Sequence, residues 1–349
     1  MLPKTLKYGS KVESAYARSM RSNIQPQNGT GPYNLGDTII INLPTRNNLV
    51  LVPSESYLKF NVNITNSSTS ANAFRWDSCG AHGIIQRIRV FHGSNLLQDI
   101  DNYGMLTKML FDLQMPTDAT YGKYNLLCGT RNDLVFKCPT IAQAGADTAA
   151  GVAAVLDASI SAKGLSVLQV NSGDRVEATA ALVAAAGTTT NTYCLSLVSL
   201  VGLLCSQNYI PLFEMTSAPL RVEIQLVDVL LKGLNYLTAA GGIPTATLSN
   251  VEYVCNFIEL GDPAVAMIKD SLGGAPLQFV VPDYRNYVYN YALTNTLTAT
   301  LAMPIAAKFS SLKAIFITVR EYGTGAVSYF PYYQFRIGAN VFPPKVPNF

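Results

Sequence analysis

"IRVFHGSNLLQDIDNYGML" (residues 88–106) contains an apolar strand, a Gly-Ser-Asn turn, a second apolar strand and the start of a helix. Ile88 and Val90 alternate with charged residues, a pattern that predicts a strand with one buried face. Glycine adopts a positive φ without penalty, so Gly93 predicts a tight hairpin turn. A looser echo of this pattern, "FRIGANVFPP" (335–344), predicts a second hairpin.

A helix is predicted over residues 103–114, directly after the first hairpin. Asp101 or Asn102 would cap its N-terminus, and Pro116 would end it. Its apolar residues follow the i, i+3, i+4, i+7 spacing, which predicts one stripe packed on the sheet. The residues of this stripe are Leu106, Met109, Leu110 and Leu113.

Alternation with a period of two recurs in "SYLKFNVNIT" (56–65) and "APLRVEIQLVD" (218–228), so each is predicted to be a half-buried strand. The predicted inward residues are Leu58, Phe60, Val62 and Ile64 in the first, and Leu220, Val222, Ile224 and Leu226 in the second. Many short strands with little helix favour an all-β sandwich or barrel. Only 13% of the 349 residues are charged, so much of the surface must be neutral polar or covered by partners.

The length suits two domains, and we divide the chain into an arm and two β units in series. Residues 1–31 form a basic N-terminal arm. Residues 32–230 form a first β unit with an Ala/Gly/Thr-rich insertion at about 139–190, and residues 231–349 form a second β unit. Strands at 251–260, 277–293 and 311–322 and a helix at 262–272, capped by Asp262, are predicted in the second unit.

The positive charge of the chain lies in the arm. Its basic residues are Lys4, Lys7, Lys11, Arg18 and Arg21, against Glu13 alone, which gives a net charge of +4. Since the whole chain carries +3, the remainder carries −1. The five basic residues are candidates for contact with nucleic acid or an anionic membrane; the alternative is a solvated tail.

Catalysis is hard to assemble from these residues, and no catalytic, cofactor-binding or metal site is predicted. Cys79, His82 and His92 could be considered for zinc, but a fourth ligand at suitable spacing is missing. Asp99 and Asp101 could act as a carboxylate pair, although Asp101 is more simply a helix cap. The six dispersed cysteines indicate reduced thiols and folding inside a cell. The aromatic run at 329–335 could stack on sugars or form core and a subunit contact.

The order of segments resembles the double jelly-roll major capsid proteins of membrane-containing phages, virophages, Polinton-like viruses and nucleocytoplasmic large DNA viruses. "IQRIRVFHGSNLLQDIDNYGMLTKML" (85–110) looks like the hairpin-and-helix element of that family. The other segments that carry the likeness are "LPTRNNLVLVPSESYLKFNV" (43–62), "NYIPLFEMTSAPLRVEIQL" (208–226), "VEYVCNFIELGDPAV" (251–265) and "FSSLKAIFITVRE" (309–321).

The resemblance implies two tandem eight-stranded jelly rolls with a few short helices, and a capsid function without catalysis. Three subunits would form a pseudo-hexameric capsomer of an icosahedral shell, with neighbouring capsomers and minor capsid proteins as partners and the virion as location. The arm would face an internal membrane or the genome, so deleting residues 1–25 is expected to spare trimers and impair shell assembly. The second roll is short after its hairpin, so either it is incomplete or the hairpin echo at 335–344 is fortuitous.

Two other functions stay open at this point. One is a two-domain β-sandwich lectin or carbohydrate-processing protein that uses residues 329–335. The other is a minor capsid or spike protein of similar fold.

Overall fold

A computed structural model describes residues 16–66, 74–130, 187–197, 209–215, 217–230, 234–236, 245–273, 281–290, 304–305, 309, 311–320, 327–328, 335–337 and 340–342. Within these residues the chain is mostly β-strand with a few short helices, as the sequence predicts. Arm residues 1–15 and residues 139–186 of the predicted insertion lie outside the described residues.

The elements up to the third helix are β1 (Ala17–Ile24), β2 (Tyr33–Asn34), β3 (Thr38–Asn42), β4 (Leu49–Asn66), β5 (Phe74–Trp76), β6 (Ile85–His92), β7 (Asn95–Asp101), α1 (Tyr103–Gln114), α2 (Thr117–Tyr121) and α3 (Lys123–Cys128). A 3-10 turn, Gly80–Ile84, precedes β6. The later elements are β8 (Gly187–Leu195), β9 (Ile210–Pro211), β10 (Leu220–Leu226), β11 (Leu234–Tyr236), β12 (Thr245–Leu260), α4 (Asp262–Leu272), β13 (Val319–Arg320), β14 (Val327–Ser328), β15 (Phe335–Ile337) and β16 (Asn340–Phe342).

Two antiparallel sheets form the body of the molecule. The first has the order β1-β12-β4-β8, with β2 paired to β12 and β9 paired to β4, and the second has the order β3-β10-β6-β7. Eight main strands are nested: β1 pairs with β12, β3 with β10, β4 with β8, and β6 with β7. Along the chain, the first of these strands therefore pairs with the last, the second with the next to last, and so inward to the β6–β7 hairpin. This nesting makes the two sheets a jelly roll.

The roll extends from Ala17 to Leu260, which differs from the division predicted from composition. β1 lies inside the predicted arm, and β12 lies inside the predicted second unit, yet all of β1 pairs with the second half of β12. The Gly-, Pro- and Thr-containing stretch at 237–244 thus precedes the last strand of the first roll. Such a composition marks an inter-strand connection as readily as a domain boundary.

The core fills the space between the two sheets, and the alternation predicted from the sequence is confirmed. The buried residues include Leu58, Phe60, Val62 and Ile64 of β4, Ile88 and Val90 of β6, and Leu220, Val222, Ile224 and Leu226 of β10. Trp76 donates a hydrogen bond from Nε1 to the Tyr193 hydroxyl at 2.8 Å, with its ring edge-on to that of Tyr193. This bond gives the buried indole N–H of Trp76 a partner.

Helix α1 has the predicted bounds, but its buried face and its cap differ from the prediction. Its buried residues are Tyr103, Gly104, Thr107 and Leu110, whereas Leu113 is 68% exposed. Asn102 precedes the helix in a left-handed conformation (φ 50°) and accepts a hydrogen bond from Gln86 instead of capping the helix. A Cβ on Gly104 would lie 3.0 Å from the Gly83 Cα, so the helix packs on the 3-10 turn at this point. That contact rotates the buried face away from the leucine stripe.

The chain after the roll begins with α4, which has the predicted bounds, although Gly261 takes the cap position and Asp262 the first helical one. The predicted second hairpin is confirmed, since β15 pairs antiparallel with β16. The predictions of strands over 277–293 and 311–322 are wrong for 281–290 and 311–318, which form no strand. Alternation needs a neighbouring strand to become a sheet. No helix in the described ranges has the length and apolar content needed to cross a membrane.

Candidate functional site

The two histidines lie too far apart to share a metal ion. His82 lies in the 3-10 turn before β6, and His92 is the last residue of that strand. The seven residue steps along β6 from Ile85 to His92 alone span roughly 23 Å, at about 3.3 Å per residue. In the part of the chain that the structure describes, no group of three or more His, Cys, Asp or Glu residues is placed to hold a metal ion.

His82 instead belongs to a buried polar cluster. Its Nδ1 lies 3.1 Å from the Tyr103 hydroxyl of α1, and its Nε2 lies 3.8 Å from the Cys128 Sγ of α3. The Cys128 thiol also lies 3.5 Å from the carbonyl oxygen of Cys194 in β8. Burial lowers the pKa of His82 to about 3 and raises the pKa of the Cys128 thiol. The cluster is therefore neutral at physiological pH, and a thiol with a raised pKa is a poor nucleophile.

The carboxylate pair considered for acid–base chemistry lies on the outer face of the second sheet. The Arg87 guanidinium donates two hydrogen bonds to the Asp99 carboxylate, at 2.7 Å from Nε and 2.5 Å from Nη2. On the adjacent strands, Arg89 pairs with Glu223 at 3.0 Å. The hydrogen bond from Arg87 is the main cause that lowers the pKa of Asp99. Asp99 thus stays ionised and structural, since a general acid or base needs a pKa near the working pH.

Replacing Asp99 with asparagine should reduce the loss of stability that we expect below about pH 4. The folded pKa of Asp99 is depressed, so its contribution is complete above the unfolded value of 3.8 and is lost as the pH falls through the folded pKa. We expect less than about 1 kcal/mol, because Arg87 is partly exposed. Urea unfolding at pH 7 and pH 3 measures this, with Asp101→Asn as the control on the same strand. Equal losses in Asp99→Asn and the parent would contradict the assignment.

The outer face of the first sheet carries a polar ladder, which consists of Asn61, Asn63, Thr190, Thr192, Thr247 and Ser249. The Thr190 and Thr192 hydroxyls donate to the side-chain oxygens of Asn63 and Asn61 at 2.7 Å and 2.8 Å. Asn63 Nδ2 donates in turn to Ser249 Oγ at 3.2 Å. The ladder spans β8, β4 and β12 and presents neutral groups that already bond to one another.

The five basic residues proposed for the arm separate into two groups. Lys4, Lys7 and Lys11 lie outside the described residues, whereas Arg18 and Arg21 lie in β1. The Arg21 guanidinium lies 5.1 Å from the centroid of the Tyr57 ring and also donates to the Tyr57 hydroxyl. Arg21 is thus bound to the first sheet and is not part of a free tail.

The other site residues predicted from the sequence are the cysteines and the aromatic run at 329–335. Cys79, Cys128, Cys194 and Cys255 form no disulfide, and all but Cys194 are buried. The aromatic run proposed for sugar stacking lies outside the described residues except for Phe335, which begins β15. Sequence reasoning missed Cys128 as the neighbour of His82. The two are 46 positions apart, and no local motif joins them.

No protein-family model and no curated protein matches this chain. Solved structures do match. PBCV-1 VP54, fitted into a reconstruction of the virophage Sputnik, shares 10% identity at a TM-score of 0.38, over 76% of this chain and 47% of that one. The Faustovirus major capsid protein shares 9% identity at a TM-score of 0.38, over 76% of this chain and 58% of that one. The mavirus major capsid protein shares 11% identity at a TM-score of 0.33, over 75% of this chain and 51% of that one.

The chain spans about half the length of these capsid proteins. The chain is similar to several viral major capsid proteins, at low TM-scores and low identity. Segments of its sequence resemble proteins of the same class.

Proposed function

We propose that the protein is a viral major capsid protein that works by self-assembly and not by catalysis. The observation that carries this proposal is the nested jelly roll from β1 to β12. Its interior is filled by apolar side chains, so the roll offers its outer faces and edges to other molecules. The sequence segments that resemble the double jelly-roll family lie largely on this roll, and a second roll after residue 260 would complete the pair.

The outer faces suit contacts between copies of the chain. On the second sheet, Arg87 pairs with Asp99 within the subunit, and Arg89 and Arg221 both pair with Glu223. On the first sheet the polar ladder is neutral. Association in trimers, and of trimers with neighbouring capsomers and minor capsid proteins, would therefore rest on apolar and neutral polar contacts. Such contacts are only weakly screened by salt.

The arm residues before β1 would act on the inner side of the shell. Lys4, Lys7 and Lys11 would contact an internal membrane or the genome, with Arg18 and Arg21 fixed at the start of the roll. Each basic residue adds about 1 kcal/mol near an anionic surface. One copy would bind weakly, but many copies on a lattice would bind firmly through multivalency. The protein would then be located in the virion.

The full chain should be a trimer in solution, with three times the subunit mass of 37.7 kDa. Size-exclusion chromatography with light scattering measures this, at low salt and at about 0.5 M salt, where the screening length falls to a few ångström. Electron microscopy of concentrated samples should show hexagonal capsomers. A monomer at every concentration would contradict the proposal, and a monomer that binds a glycan array would support a lectin instead.

A further inference from the structure

His82 is one of only two histidines in the chain, and it lies where the helices meet the roll. The helix junction consists of the 3-10 turn Gly80–Ile84 with α1 and α3 packed on it. The His82 side chain is buried between a hydroxyl on α1, at 3.1 Å from Nδ1, and a thiol on α3, at 3.8 Å from Nε2. Both contacts join the turn to a helix, so the protonation state of the imidazole directly affects how α1 and α3 are attached.

The described groups around His82 carry no charge that would compensate a proton. From α1 come the Tyr103 hydroxyl and the Phe111 ring, which is edge-on with its centroid 5.5 Å away, and from α3 comes the Cys128 thiol. Burial raises the pKa of Tyr103 and of Cys128, so both stay neutral. Other groups of the packed elements include the Cys79 thiol before the turn, the Cys194 thiol in β8, and the hydrogen-bonded pair of Trp76 in β5 and Tyr193 in β8. Helix α3 also carries Lys123, which lies over the Tyr124 ring, and the buried Asn125.

The ion pairs described on these elements make no contact with the His82 imidazole. Lys108 of α1 contacts Asp77, which precedes the turn, at 2.7 Å and Asp112 at 3.2 Å. The Lys108 ammonium group is thus shared by two carboxylates, a net charge of −1, and neither carboxylate contacts the imidazole. Among the described residues, a proton on the imidazole would find only a hydroxyl, a thiol and aromatic rings in contact with it. An uncompensated buried charge is costly.

The junction also has little room in which to adjust. A Cβ at Gly80 would lie 2.3 Å from the Cys128 carbonyl oxygen, and one at Gly104 would lie 3.0 Å from the Gly83 Cα. Backbone therefore meets backbone on both sides of His82. When a charge is introduced into such a closely packed contact, the two backbones separate and do not deform gradually.

We propose that His82 makes the attachment of α1 and α3 to the jelly roll sensitive to acid: a proton taken up by the imidazole places an uncompensated charge in the helix junction and releases the helices. The inference goes beyond the proposed function, because it concerns the single chain and holds whether or not shells form.

The sign of the effect follows from linkage. Burial lowers the pKa of His82 to about 3 from its ordinary 6.5, so the released state binds the proton more readily than the packed state. The contribution to stability is complete above the ordinary value and is lost as the pH falls from there towards the folded value. Each pH unit in this window shifts the equilibrium up to about tenfold towards release.

Amide hydrogen exchange of α1 and α3 at pH 6.5 and pH 4.5, corrected for intrinsic rates, tests the proposal. Relative to β4, protection of α1 should fall about 50-fold between these pH values in the parent protein. His92→Gln, the matched control, should show the same fall, because His92 lies at the far end of β6. His82→Gln should show little pH-dependent loss, whatever its protection at pH 6.5. An equal fall in His82→Gln and the parent would overturn the proposal.

A second measurement does not require the His82 variant to fold. In His92→Gln the only imidazole is that of His82, so its ring proton resonance can be followed directly by NMR. The packed state should show no titration above pH 4.5, and the resonance of a released state should grow in as the pH falls. A single resonance that titrates near its ordinary value while the α1 amides stay protected would overturn the proposal.

Discussion

Replacing Phe60 with alanine should lower the free energy of unfolding by about 3–5 kcal/mol. Phe60 is fully buried at the middle of β4, and its ring centroid lies 6.4 Å from that of Tyr193 on β8. The substitution removes this contact and leaves a cavity that the packed sheets can fill only in part. Urea unfolding followed by circular dichroism measures the change, and the melting temperature should fall by about 10 °C.

Asn61→Ala is the matched control for Phe60→Ala, because the next residue on β4 points to the opposite face. Asn61 accepts a hydrogen bond from Thr192 in the polar ladder, and this bond is exposed to solvent. Its loss should cost less than about 1 kcal/mol, since water can replace the bond. Similar losses for the two variants would show that the faces of β4 have been assigned wrongly.

The local signals in the sequence predicted the elements of the roll well. Alternating residues such as Val62 and Val222 are buried as expected, because a strand with one covered face has a period of two regardless of its partner. The β6–β7 hairpin and the bounds of α1 were also predictable. Gly93 takes a positive φ in the turn, and Pro116 follows the end of the helix.

The pairing of the first and last strands could not be predicted from local signals. β1 carries two arginines, and its core contacts are only Met20 and Ile24, which are partly buried. Its partner β12 lies more than 200 positions away, as the Ser19–Asn256 hydrogen bond shows. A charged segment near the N-terminus therefore had the composition of an arm, although the topology makes it an edge strand.

The helix junction was missed for a different reason. Cys79 and His82 suggested a local motif, yet the group that meets His82 is Cys128, brought in by a helix whose approach depends on Gly80. The same backbone contacts turn Leu113 to the surface. Amphipathic spacing predicts that a helix forms. The rotation of the helix about its own axis is set by the point where its backbone comes closest to a neighbouring backbone.

Deleting residues 2–24 should prevent the roll from folding stably, whereas deleting residues 2–15 should leave its stability unchanged. β1 pairs with β12 from Ala17–Leu260 to Ile24–Tyr253, so the longer deletion removes a whole ladder of backbone hydrogen bonds. At about 0.5–1.5 kcal/mol net for each bond, the loss is comparable with the total stability of a domain, about 5–15 kcal/mol. The melting transition of the soluble fraction, followed by circular dichroism, measures both variants. This replaces the expectation that residues 1–25 are dispensable for trimers.

The shorter deletion is also the cleaner test of the arm. It removes Lys4, Lys7 and Lys11 but keeps β1, so the roll retains its pairing while most of the basic character before the roll is lost. Under the capsid proposal this variant should form trimers and fail to enclose a membrane or genome, because binding there depends on many weak basic contacts. The longer deletion should instead expose β12 as a free sheet edge, and open edges aggregate. Full stability after the longer deletion would show that the roll closes without its first strand, and the nested topology would then not be what stabilises the molecule.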